Sequence, residues 1–116
     1  MTVRPPRVVS SKIWTANPAA ALDYELAQEK AFTLGRLGRA LEAALAALHA
    51  FDAEEREPSA ETREVRRTLV AKAGHALWLF VVQREALGLR DSRQVMRDYG
   101  VPSEVQHRMG VLPAKR

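Results

Sequence analysis

Three observations in this 116-residue chain predict an all-α fold: a long antiparallel helical hairpin followed by two short carboxy-terminal helices. Leu34, Leu37, Leu41, Ala44, Leu48 and Phe51 recur at alternating intervals of three and four, the period of one helix face. Residues 76–82 form an unbroken apolar run inside a segment bounded by Ser59 and Gly88. Helix-starting and helix-stopping residues punctuate the chain at Asn17-Pro18, Pro58-Ser59, Gly88, Gly100 and Gly110. The whole of residues 1–116 reads as one helical domain.

Residues 1–15 read as an extended arm. Pro5-Pro6 restricts its start, the following Val8-Val9 leans toward β conformations, and Trp14 is large enough to pin the arm to a helical body. A first long helix is predicted over 18–55, because Asn17 can cap the free N–H groups and Pro18 loses no needed donor at the first helical position. Leu22 and Leu26 begin a stripe on a different face from the later heptad, so the buried face shifts along the helix. Gly35 and Gly38, each costing about 1 kcal/mol against alanine in a helix interior, mark a close crossing or a bend.

A second long helix is predicted over 59–88, capped by Ser59 or Thr62, with Glu61 and Glu64 favoured by the dipole in its first turns. Its apolar run covers every side of the helix for two turns, which requires burial all round. Two such helices offer each other only one face. The expected cover is a second copy completing a dimeric four-helix bundle, with Leu77, Trp78, Val81 and Val82 as the self-association surface. The first helix, about 52 Å long at about 1.5 Å per residue, also exceeds the radius of gyration of about 13 Å for a compact domain of this size, which predicts an elongated fold. Residues 91–110 form a short helical corner: Asp91 and Gln94 approach a capping box, Val95, Met96 and Tyr99 supply apolar positions, and Pro102-Ser103-Glu104 opens the last helix. Residues 111–116 are a fraying tail.

At residues 23–30 (Asp23-Tyr24-Glu25-Leu26-Ala27-Gln28-Glu29-Lys30), residues 34–45 and residues 99–105 (Tyr99-Gly100-Val101-Pro102-Ser103-Glu104-Val105), the chain resembles a family of small bacterial all-helical proteins of unknown function. The likeness spans about residues 22–110. It implies a helical fold and brings no activity, ligand or functional residue.

Composition narrows the chemistry. The absence of cysteine excludes disulfides, thiolate metal sites and thiol catalysis. No apolar segment approaches the roughly 20 residues that span a bilayer, and the amino end lacks the apolar core of a secretory signal, so the expected location is the cytoplasm, away from membranes. The net charge of +4 is segmental: +3 over residues 1–17, −4 over 18–58, +3 over 59–90 and +2 over 91–116. That alternation suggests elements lying against one another with complementary rims more than a nucleic-acid surface.

Four patterns carry candidate chemistry. Glu104 and His107 have the Glu-x-x-His spacing of carboxylate-bridged metal bundles, but on a short polar helix a solvated surface pair is the simpler interpretation. His49 and His75 lack a histidine four residues away and read as structural, as does the glycine pair at 35 and 38, which lies inside a helix and cannot cradle phosphate. Residues 91–109 resemble a helix–turn–helix in outline, with Arg93, Arg97 and Arg108 as candidate phosphate contacts; Gln106 at an apolar position, Pro102 and three carboxylates weaken it against a packing cap. The helix-one stripe could also dock a partner helix. The expected function is therefore a non-enzymatic cytoplasmic assembly or adaptor protein, homodimeric and open to a further protein partner, without cofactor. The alternative is a small DNA-binding regulator.

Overall fold

The computed structural model describes residues 17–111. It is all-α, without a strand among the described residues: α1 spans Pro18–Ala53, α2 Ala60–Ala86, α3 Ser92–Asp98 and α4 Ser103–Arg108. The predicted arm, with Trp14, and the tail beyond Val111 lie outside the described residues.

Local chemistry explains most boundaries. Asn17 accepts from the Ala20 N–H through both its side chain (3.2 Å) and its carbonyl (3.1 Å). Ser59 caps α2 in a full box: its hydroxyl accepts from the Thr62 N–H (3.1 Å) and its own N–H donates to Thr62 Oγ1 (2.9 Å). Ser59 and Thr62 thus act together, where the sequence offers them as alternatives. Gly88 (φ +88) and Gly100 (φ +59) adopt the left-handed conformation that ends α2 and α3. The next N–H in each case, from Leu89 or Val101, reaches back to Arg84 (2.8 Å) or Met96 (3.0 Å), closing a Schellman motif. The capping box expected at Asp91 does not form. Asp91 sits in a tight turn closed by the Ser92 N–H on the Arg90 carbonyl (3.0 Å), and its side chain makes no cap hydrogen bond.

Contacts divide the chain into two compact units, Met1–Thr33 and Leu34–Arg116, with the boundary inside α1. In the second unit α1 and α2 pair as a hairpin. Gly38 lies beside Phe80 and Asp52 beside Arg66, so positions rising along α1 meet positions falling along α2. One core results: Leu41, Leu45 and Leu48 from α1, Val70, Ala73, Leu77, Phe80 and Val81 from α2, and Val95, Val101 and Val105 from the corner. Leu34, Leu37 and Ala44 pack at its margin, as the heptad predicts.

Two glycines set the closest approaches. A Cβ on Gly38 would stand 3.0 Å from the Tyr99 hydroxyl and 3.3 Å from the Phe80 ring, so this glycine does mark a crossing. Gly35 would meet only the tip of Arg39, at 3.5 Å, and marks none. The tightest site is Gly74, which the sequence did not single out: a Cβ there would be 2.7 Å from Arg108 Cβ and 3.0 Å from its carbonyl carbon. Only a bare backbone lets α4 end against α2 at that distance.

Within the single chain, the second helix is covered on one side only. Leu77 and Val81 lie in the chain's own core, while Trp78 is 39% and Val82 44% exposed. A helix run that is apolar on every side still meets its neighbours on one side only.

In the first unit, residues 17–33 are helical from Pro18 onward, and their large apolar side chains are exposed: Leu22, Tyr24 and Leu26 about half, Phe32 74%. No described residue before Leu34 belongs to the core cluster.

Candidate interaction surface

A polar cluster that joins three helices is centred on Arg66 of α2. Its Nε and Nη2 donate to both carboxylate oxygens of Asp52 at the end of α1 (2.8 and 2.9 Å), and its Nη1 and Nη2 donate to both oxygens of Glu104 in α4 (2.9 and 2.6 Å). One planar guanidinium therefore ties three helices through two bidentate pairs. Hydrogen bonding from Arg66 holds the Asp52 and Glu104 carboxyls below their ordinary values, and the two carboxylates raise the guanidinium in turn. All three side chains keep a third or more of their surface in water, so each pair contributes at most about 1 kcal/mol. The hollows beside the clamp, one lined by Phe51, Arg56 and Thr62, the other by Arg63, Arg67 and Val70, open to solvent.

The clamp takes in the carboxylate of the Glu-x-x-His pattern. Glu104 is engaged by Arg66, and His107 is exposed on the other end of the short helix. No group of three or more potential metal-ligating side chains occurs among the described residues. Spacing within α4 could not reveal Arg66, which lies thirty-eight positions upstream.

The corner separates the three arginines chosen as nucleic-acid contacts. Arg93 and Arg97 stand exposed one turn apart on α3, and neither joins an ion pair among the described residues. Arg108 is half-buried where α4 meets Gly74, and its Nε is buried without a hydrogen-bond partner. None of the three pairs with Asp91, Asp98 or Glu104 as the packing-cap interpretation expected. The apolar side of that interpretation does hold. Val95 is buried, Tyr99 meets Phe80 edge-on at 5.4 Å, and Met109 packs on the core. Burial pushes the Tyr99 phenol up. Gln106, the polar residue at an apolar position, is accommodated by donating from Nε2 to the Val101 carbonyl (3.0 Å).

Of the four residues assigned to self-association, Leu77 and Val81 are internal and unavailable. Trp78 and Val82 are accessible one turn apart, with His75 stacked on Trp78 at 6.2 Å and the Gly110 backbone alongside. The larger exposed apolar set is Leu22, Tyr24, Leu26 and Phe32; the sequence marks Leu22 and Leu26 as a stripe on another face but gives no sign of Tyr24 and Phe32. Continuing the heptad backward from Leu34 lands on Lys30, Ala27, Asp23 and Ala20, two charged residues and two alanines in place of the leucines.

Residues 8–116 match the model of a family of unknown function, DUF6665, and the chain belongs to that family, in keeping with the resemblance carried by residues 23–30, 34–45 and 99–105. No curated protein and no solved structure matches it. No helix among the described residues is long and apolar enough to cross a membrane.

Proposed function

We propose that this protein is a non-enzymatic, cytoplasmic assembly or adaptor module that works as a homodimer through its helical surface. The observation that carries this reading is the exposed apolar set of α1, Leu22, Leu26 and Phe32, on a helix segment that contributes nothing to the core. Leaving such side chains in water is unfavourable, at roughly 25 cal/mol per Å² of apolar surface, and a partner removes that penalty. Trp78 and Val82 add a second accessible apolar pair. The absence of any buried polar or charged residue among the described positions also favours a binding surface over a catalytic pocket, where desolvated titratable groups are usual.

Light scattering after size exclusion tests the reading: about twice the chain mass of 12.9 kDa is expected at tens of micromolar, and a clean monomer overturns it. The exposed Arg93 and Arg97, one turn apart on α3, favour a second reading, duplex DNA binding. Fluorescence anisotropy with a randomised duplex separates the two. Affinity no tighter than about 1 μM at physiological salt, the level of non-specific phosphate contacts, is expected; nanomolar affinity lost in Arg93→Ala/Arg97→Ala favours the regulator.

A further inference from the structure

We infer that the exposed leucine strip at the start of α1 is a docking site for residues 10–16 of the same chain, which fold back along the helix with Trp14 on Leu22 and Leu26 and Lys12 beside Glu25 and Glu29.

Helix geometry defines the strip. At about 100° per residue, Leu22, Glu25, Leu26 and Glu29 all fall within an arc of about 100° on α1, the leucines one turn apart and the carboxylates one turn apart. Both leucines are about half exposed, both glutamates are exposed, and neither glutamate joins an ion pair among the described residues. Residues 18–33 as a whole carry Asp23, Glu25 and Glu29 against Lys30, so the same segment of a second copy laid on the strip would set like charge against like. The occupant that suits it is apolar, basic and free of carboxylates. Residues 1–16 have that composition: Arg4, Arg7 and Lys12 beside Ile13 and Trp14, with no Asp or Glu.

The lengths also match. The chain enters α1 at Asn17, whose side chain and carbonyl hold the first turn. An extended chain running back from there at about 3.3 Å per residue has covered about 10 Å at residue 14 and about 17 Å at residue 12. With a helical rise of about 1.5 Å per residue, those distances bring Trp14 level with Leu22 and Leu26, and Lys12 level with Glu29. Residues 12 and 14, two apart in an extended chain, share a side, so ammonium and indole face the helix together. The tether selects this occupant over a second copy: a segment joined so closely acts at an effective concentration in the mM range, far above that of a separate chain at tens of micromolar. Phe32 lies about 120° round the helix from Leu26 and about 9 Å further along, outside the strip, and so stays available for the homodimer contact proposed above.

Trp14 reports on its own docking, because Trp78 is the only other tryptophan and Trp78→Phe leaves a single indole in the chain. In that protein the Trp14 emission is expected to be blue-shifted and shielded from acrylamide relative to the chain in denaturant, and the shielding should not change on dilution. Leu22→Asp/Leu26→Asp, checked for native helicity by circular dichroism, should abolish it. Glu25→Lys/Glu29→Lys sets like charge against Lys12 and should weaken the shielding, and adding Lys12→Glu to that protein should restore it. A Trp14 as accessible in the folded chain as in denaturant overturns the inference. So does shielding that disappears on dilution, which would make a second copy the occupant, and so does shielding that none of the helix variants moves, which would seat the arm elsewhere. The dimer mass is read separately by light scattering, so a monomer with Trp14 shielded overturns the homodimer reading and leaves this one standing.

Discussion

The two halves of α1 belong to one uninterrupted helix yet live in different environments. From Leu34 to Leu48 its leucines fall on one face and pack into the core or at its margin; from Leu22 to Phe32 comparable residues stand in water. Helical propensity does not separate them, since both halves are rich in alanine and leucine. Register does. The later leucines share the face that meets α2, whereas the positions on that face before Leu34 are Lys30, Ala27, Asp23 and Ala20. A helix can continue on its own hydrogen bonds past the point where its core ends, and its apolar residues then become a surface.

The largest effect expected from this contrast comes from truncating one leucine in each half. Leu41 is fully buried, so Leu41→Ala should destabilise the fold by about 2–5 kcal/mol through lost burial and a residual cavity. Leu26→Ala, on the exposed segment, should change monomer stability by less than about 0.5 kcal/mol. Urea unfolding at a concentration below dimer formation measures both. Equal losses would mean that residues 18–33 possess a core of their own.

The glycines at 35 and 38 probe the boundary at finer grain. Gly38→Leu forces side-chain atoms into the Tyr99 hydroxyl and the Phe80 ring and should cost about 1–3 kcal/mol despite its better helix propensity. Gly35→Ala meets no core atom and should stabilise by up to about 1 kcal/mol. Thermal melts of the two variants should move in opposite directions, and a rise for Gly38→Leu would displace the packing face assigned to α1.

The smallest effect concerns the Arg66 clamp, a polar counterpart to the apolar core. Asp52 and Glu104 titrate lower in the folded protein than their ordinary values of 3.8 and 4.5. Their contribution is therefore complete above those values and disappears as pH falls through the lower folded ones. Arg66→Met should cost about 1 kcal/mol at pH 7, with the gap to the natural protein closing toward pH 3. Denaturant midpoints across that range check the sign: a gap that widens in acid is incompatible with depressed carboxyls.

Helix identity was legible because it depends on neighbours in the chain. Asn17-Pro18, the Ser59 and Thr62 cap residues, and the glycines that end α2 and α3 work through bonds spanning five residues or fewer. The heptad from Leu34 likewise identified the buried side of α1, because any partner selects the continuous apolar stripe. Asp91 does not form a capping box because it is itself the centre of a tight turn closed by the Ser92 N–H on the Arg90 carbonyl.

By itself, then, the order of residues determined an all-helical chain, the places where its helices start and stop, and the leucines that meet in the hairpin. Tertiary structure alone decided the rest. Whether Trp78 or Leu77 would be buried, whether Glu104 would face His107 or Arg66, and why position 74 must be glycine all depend on which elements lie across the fold. The physical reason is range: backbone hydrogen bonds and apolar periodicity act along the chain, whereas burial, ion pairing and close approach are set by residues tens of positions away, brought near only once the helices have packed.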